Sequence, residues 1–173
     1  MDVFPRRELK RFGSIPDGEL FQMRVAGKLI FAINTTKEGV GETTSKVTIL
    51  LQDFQAKEPR PALCYVEFKI EDQWVISYGS DYVFRSDLKS GVVDLSGTND
   101  AERSGALILR EAGPALRISP VSGTHHWHHI DYDIQTKTIT KHTDIYDIAV
   151  IRPFSLCLRD PFNGKLEELL TFT

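Results

Sequence analysis

Cysteine is scarce in this chain, long apolar runs are missing, helical periodicity is nearly absent, and no histidine precedes position 125 of the 173 residues. Each shortage excludes something. Two cysteines, Cys64 and Cys157, are too few to staple a small secreted domain. Each sits in an apolar alternating run, where a free thiol packs as a small hydrophobe. The opening Met1-Asp2-Val3-Phe4-Pro5-Arg6-Arg7 carries no apolar core of an ordinary secretory signal. No run approaches the ~18 apolar residues of a membrane-spanning helix, and the longest, such as Leu29 to Ile33, have strand length. The expectation is a soluble cytoplasmic or otherwise intracellular protein without a membrane span. In such a setting the glycosylation sequon Asn34-Thr35-Thr36 has no role.

Charge of one sign is also lacking: 21 basic against 24 acidic side chains leave a net charge of -3. A dedicated nucleic-acid binder draws its affinity from neutralising phosphates, so near-neutrality argues against that class. The one basic cluster is Arg6, Arg7, Lys10 and Arg11, interrupted by Glu8. It reads as a solvated first turn or as an arm docking on an acidic partner.

What is present is period-two alternation. Phe21, Met23, Val25, Leu29, Phe31 and Ile33 share one parity, which suggests one extended segment with a bend or bulge at Gly27. Val47-Ile49-Leu51, Cys64-Val66-Phe68-Ile70, Trp74-Ile76-Tyr78, Leu116-Ile118, Ile130-Tyr132-Ile134 and Phe154-Leu156-Leu158 repeat the pattern. The spacing predicts a single all-β domain over residues 1–173, an antiparallel sandwich or barrel of about nine to eleven strands. At most short terminal helices are expected, over residues 5–12, within an N-terminal arm covering 1–12, and from Lys165 to Leu170. The second also reads as a hairpin arm, because Asn163-Gly164 is a type I′ turn signal. Three connections are long and polar, Thr35 to Lys46, Gln52 to Pro61 and Ser96 to Gly105, the kind of segment in which binding often resides.

Two attractive motifs fail on chemistry. Lys37-Glu38-Gly39-Val40-Gly41-Glu42-Thr43-Thr44 resembles the end of a P-loop, but Glu42 stands where a phosphate-binding lysine belongs. The next segment, Lys46 to Leu51, reads as a strand and not as the helix whose N-terminus would supply amide donors. A G-x-S-x-G elbow is missing, and neither cysteine has a histidine nearby in sequence, so nucleophilic catalysis has no local signature.

All five histidines fall between 125 and 142. As a strand, residues 125–134 put His126, His128, Ile130, Tyr132 and Ile134 on one face, which the apolar residues mark as inward. His125, Trp127, His129, Asp131 and Asp133 take the other. A turn centred on Thr136-Lys137 pairs Ile134 with Ile139, Ile130 with Thr143 and His128 with Ile145. It sets Asp131 opposite His142, His129 opposite Asp144 and Trp127 opposite Tyr146. Three readings follow. The pairs are plain cross-strand contacts, each contributing about 0.2–1 kcal/mol. Alternatively, His126 and His128, joined by His142 if the strands bend, hold a divalent metal. Or His125, Trp127, His129, Asp131, His142, Asp144 and Tyr146 form a surface for a partner.

Gly113, Pro120, Gly123 and His126 resemble the second conserved motif of cupins. The first two spacings are each one residue longer than in that family, and Ile130 stands where its closing asparagine belongs. The first cupin motif, with its two histidines, has no counterpart upstream of position 125. The resemblance implies a barrel that is metal-free or rearranged.

The functional expectation is a non-catalytic binding or assembly module that contacts another protein or its own copies. The alternative is a metal-dependent or small-ligand β-barrel enzyme, cupin-like, using His126 and His128 with a neighbouring aspartate as acid or base.

Overall fold

The structure is a computed structural model that describes residues 7–38, 44–68, 70–86, 92–93, 105–120, 130–141 and 147–173. Within them the alternation becomes fifteen strands. In chain order these are β1 (Glu8–Arg11), β2 (Leu20–Val25), β3 (Lys28–Glu38), β4 (Thr44–Asp53) and β5 (Arg60–Val66). There follow β6 (Trp74–Gly79), β7 (Tyr82–Ser86), β8 (Val92–Val93), β9 (Leu107–Arg110) and β10 (Gly113–Pro120). The last are β11 (Ile130–Asp133), β12 (Ile139–Lys141), β13 (Asp147–Ile151), β14 (Phe154–Arg159) and β15 (Leu166–Phe172). A single 3-10 turn, Phe12–Ser14, is the only helical element among the described residues. Glu8–Arg11 and Leu166–Phe172 are therefore strands where short helices were one expectation. No described helix is long and apolar enough to cross a membrane.

Twelve strands form one hydrogen-bonded assembly with the path β1-β6-β2-β3-β4-β5-β10-β9-β13-β8, and β10 also pairs with β11, which pairs with β12. A second sheet runs β15-β14-β7. Pairing is antiparallel except at β5 and β10, where Ser119 and Pro120 run parallel to Cys64 and Tyr65. The arrangement is sandwich-like and not a closed barrel, which removes the barrel implied by the cupin-like residues. Of those residues Gly113 and Pro120 bound β10, while Gly123 and His126 lie outside the described residues.

The main core takes side chains from both sheets: Leu20, Ile33 and Ile49 from β2–β4, Leu116 and Tyr132 from β10–β11, and Phe154, Leu156 and Phe172 from the small sheet. Phe154 and Phe172 stack with centroids 4.6 Å apart. Each such side chain, fully buried, contributes about 1.5–3 kcal/mol. The reverse face of β2–β4 has its own core, in which Phe12 and Ile15 cover Phe21, Met23, Ile30 and Leu50. Burial on both faces explains why Thr48-Ile49-Leu50-Leu51 reads as a continuous run, every residue at most 1% exposed.

Two turns differ from their sequence reading, each for a local reason. Residues 20–38 are a hairpin and not one extended segment, because Ala26 and Gly27 both take positive φ, +48° and +82°. That is the signature of a type I′ turn. Crossing it flips parity, so Phe21 pairs with Ala32 and Met23 with Ile30 on one face, while Leu20 and Ile33 enter the main core. In the second case β11 and β12 pair Ile130 with Lys141, Asp131 with Thr140 and Tyr132 with Ile139. This is two residues away from the register expected from a two-residue turn. Asp133 builds a longer turn: its Oδ1 accepts the amides of Gln135 and Thr136 at 2.9 and 2.8 Å, and Lys137 closes the loop at φ +60°. A shift of two keeps every side chain on its expected face but changes its partner.

Candidate functional site

The histidine segment that drew attention in the sequence lies largely outside the described residues: His125, His126, Trp127, His128, His129, His142, Asp144 and Tyr146 are among those not described. Among the described residues no group of three or more His, Cys, Asp or Glu side chains is placed to hold a metal ion. Of the expected surface, Asp131 alone can be located. It faces Thr140, not His142, and it is buried, 2% exposed.

Asp131 belongs to a charged cluster on one face of β9–β10–β11. Arg117 stands directly opposite it on β10 and donates two parallel hydrogen bonds, Nε to Oδ1 at 3.0 Å and Nη2 to Oδ2 at 3.1 Å. Arg110 on β9 reaches across the same face to both acids, Nη1 to Asp131 Oδ2 at 3.5 Å and Nη2 to Asp133 Oδ2 at 3.1 Å. Gly113, which has no side chain, and Ala115, which has only a methyl, are the β10 residues between these groups, and they leave room for the guanidinium to cross. All four charged residues are at most 7% exposed. The two aspartates therefore do not form the solvated strand face that their spacing suggests. Two guanidiniums clamp two carboxylates, and Asp133 is further held by turn amides. This arrangement ties β9, β10 and β11 together across one face.

Other reactive groups are partly or fully withdrawn from solvent. Tyr82 and Tyr132 share a hydroxyl–hydroxyl contact of 3.2 Å. Burial pushes Tyr82 upward and lifts Tyr132 to about 12. Cys64 and Cys157 are free thiols. Burial, with the Asp53 charge adding, pushes Cys64 up to about 12, and burial raises Cys157 as well. Asn34, first residue of the sequon, is fully buried on β3. The P-loop-like stretch joins β3 to β4, with Glu38 opposite Thr44; residues 39–43 lie outside the described part.

An outward-facing candidate lies at the other end of the large sheet. Leu9, Ile76, Gln22 and Phe31 form one continuous cross-strand row over β1, β6, β2 and β3. Phe31 and Tyr78 pack against the main core, their rings 5.5 Å apart. Toward β1 and the β2–β3 turn the same face leaves the core and emerges uncovered. Leu9 is 71% exposed, Trp74 57% and Leu29 44%. Three arginines frame it. Arg11 is opposite Trp74 and lies over its ring, 4.2 Å from the centroid, while donating to the Asp72 carbonyl. Arg24 is opposite Leu29 and donates to Gly27 O at 3.2 Å. Arg7 lies 5.7 Å from the Tyr78 ring centroid. On the reverse face of β1, Lys10 is bound at 2.8 Å to Glu19, which also accepts from Ser77.

The sequence carried half of this signal. Trp74-Ile76-Tyr78 alternates as a buried face does, but Val75 and Ser77 are the fully buried side of β6. Only the pairing with β1, remote in sequence, shows that Trp74 stands beyond the core. Comparison with protein-family models, curated proteins and solved structures returns no match.

Proposed function

We propose that the chain is a non-catalytic binding or assembly module that works through a protein-facing surface. The observation that carries this reading is the uncovered sheet face around Trp74, where an exposed indole, two exposed leucines and three arginines continue the face that packs the core. Contiguous exposed apolar surface rimmed by polar groups marks interaction sites, and Trp and Arg are the residue types in which binding energy concentrates. The buried Arg–Asp cluster supports the same reading, since its carboxylates are engaged in holding strands together.

The test compares the wild-type chain with the double variant Leu9→Ser and Trp74→Ser. Both positions are exposed, so the two proteins should melt together. Light scattering over a concentration series and co-purification from cells are then read side by side. A self-association or a set of partners present with wild type and lost with the variant supports the proposal. Identical behaviour of the two proteins places binding elsewhere and overturns it.

A further inference from the structure

The partner's chemistry can be read from the edge of this face. Strand β1 ends the path of the large sheet, and among the described residues only β6 pairs with it. Its outer edge therefore presents backbone donors and acceptors to an added strand. Three of its neighbouring side chains, Arg7, Leu9 and Arg11, alternate onto the uncovered face. Among the described residues no carboxylate lies within ion-pair distance of Arg7, Arg11 or Arg24. This end of the face is thus cationic on a chain whose net charge is -3.

A second copy of the chain does not fit that edge. A two-fold antiparallel pairing of β1 with itself must centre on one residue, because cross-strand neighbours point to the same side. Centred on Leu9, it sets each Arg7 opposite the other copy's Arg11 on the uncovered face; the Glu8–Lys10 pairs of that register fall on the reverse face, where Lys10 is already bound to Glu19 at 2.8 Å. Centred on Lys10 or Glu8, it opposes lysine to lysine or glutamate to glutamate, and centred on Arg7 or Arg11 it opposes arginine to arginine. Like charges directly opposite destabilise a strand pair. Every such register opposes at least one like-charged pair, so the edge disfavours its own copy and is complementary to the opposite charge.

We infer that β1 accepts an extended segment of another protein whose side chains on this face read acidic, apolar, acidic at alternate positions. The acids meet Arg7 and Arg11, and the apolar residue extends the row begun by Leu9 and Ile76. This rests on the reading of the Trp74 face as a binding surface and adds the occupant's charge, its extended conformation and the exclusion of a second copy.

The experiment uses three short synthetic peptides of pattern Glu-x-Val-x-Glu, Ser-x-Val-x-Ser and Lys-x-Val-x-Lys, with x kept as Thr, titrated into the full chain by fluorescence anisotropy. Hydrogen exchange at the β1 amides is followed in parallel. The Glu peptide should bind best and protect the β1 amides that point away from β6. Its affinity should fall with added salt and drop about tenfold or more in the variant Arg7→Glu with Arg11→Glu, the scale of losing charge-assisted contacts. Circular dichroism of that variant checks that it folds. Equal or tighter binding of the Ser or Lys peptide that still depends on Trp74 overturns the acidic specificity while leaving the binding face in place. A dimer that is lost with Trp74→Ser overturns the exclusion of a second copy. Binding of no peptide overturns the inference; the reading beneath it falls only if wild type and the Leu9→Ser with Trp74→Ser variant also behave identically in scattering and co-purification.

Discussion

Arg117 on β10 and Asp131 on β11 are direct cross-strand partners joined by two parallel hydrogen bonds of 3.0 and 3.1 Å, with neither residue more than 2% exposed. Asp131 is also 3.5 Å from Arg110, so one carboxylate serves two guanidiniums. That sharing makes the cluster asymmetric. Removing one arginine leaves Asp131 with a cation beside it, whereas removing Asp131 takes the shared carboxylate from both arginines.

Breaking a buried ion pair from one side costs about 3–5 kcal/mol. Asp131→Leu should therefore lower the stability measured by urea unfolding by at least that much, and by more than Arg117→Met. The double variant Arg117→Met with Asp131→Leu should recover part of the loss, because the strand pair then presents packed apolar side chains. Equal single losses and strict additivity would show that the sharing has no energetic weight.

How much of this was legible in the sequence depends on the range of each interaction. The strand class was legible because alternation is a local property, and Ile130 and Tyr132 face the main core as their parity demands. The partner of Asp131 was not. It depends on the loop length between β11 and β12, which Asp133 sets by capturing two turn amides. The burial of Asp131 and Asp133 was also invisible, because the arginines that neutralise them come from β9 and β10. Trp74 shows the converse: a residue in an apolar alternating set is exposed because its strand runs past the end of the core. Local period fixes which face a side chain takes; only tertiary pairing decides whether that face is covered.

The β2–β3 turn gives a prediction of opposite sign. Ala26 occupies the left-handed region at φ +48°, which a non-glycine residue with a Cβ enters at a cost of about 1–2 kcal/mol. Asparagine tolerates that region, and Asn-Gly is the preferred type I′ pair. Ala26→Asn should therefore stabilise the protein by about 0.5–1 kcal/mol, read as a rise in the denaturant midpoint with an unchanged slope. A destabilised variant would mean that the turn adopts another geometry in solution.

Asn34 and Thr48 face each other across β3 and β4, fully or almost fully buried. The Thr48 hydroxyl donates to Asn34 Oδ1 at 2.9 Å, and Asn34 Nδ2 has no hydrogen-bond partner among the described residues. Leaving one buried polar group unsatisfied costs about 1–3 kcal/mol, whereas replacing both partners by apolar groups of similar shape can be neutral or stabilising. Thr48→Val alone should destabilise, because it strands the amide oxygen too. Asn34→Val combined with Thr48→Val should be at least as stable as wild type. Thermal unfolding of the three proteins separates these outcomes, and a double variant less stable than Thr48→Val would show that Asn34 is satisfied in solution.

The thiols make a prediction about pH. Burial pushes Cys64 up to about 12 and raises Cys157, and a raised thiol remains protonated until the pH approaches its own value. Near pH 8 a group with that constant is thiolate in only about one molecule in ten thousand, against roughly a quarter for an unperturbed cysteine. Iodoacetamide should accordingly label the native protein far more slowly than the urea-unfolded chain, in which both cysteines react at the ordinary rate. The native labelling rate of Cys64 should climb about tenfold per pH unit from 7 to 10 without levelling, because the thiolate fraction grows by that factor below its titration point. A plateau near pH 9, monitored by mass spectrometry of the alkylated peptides, would place Cys64 in water and remove the burial that raises it.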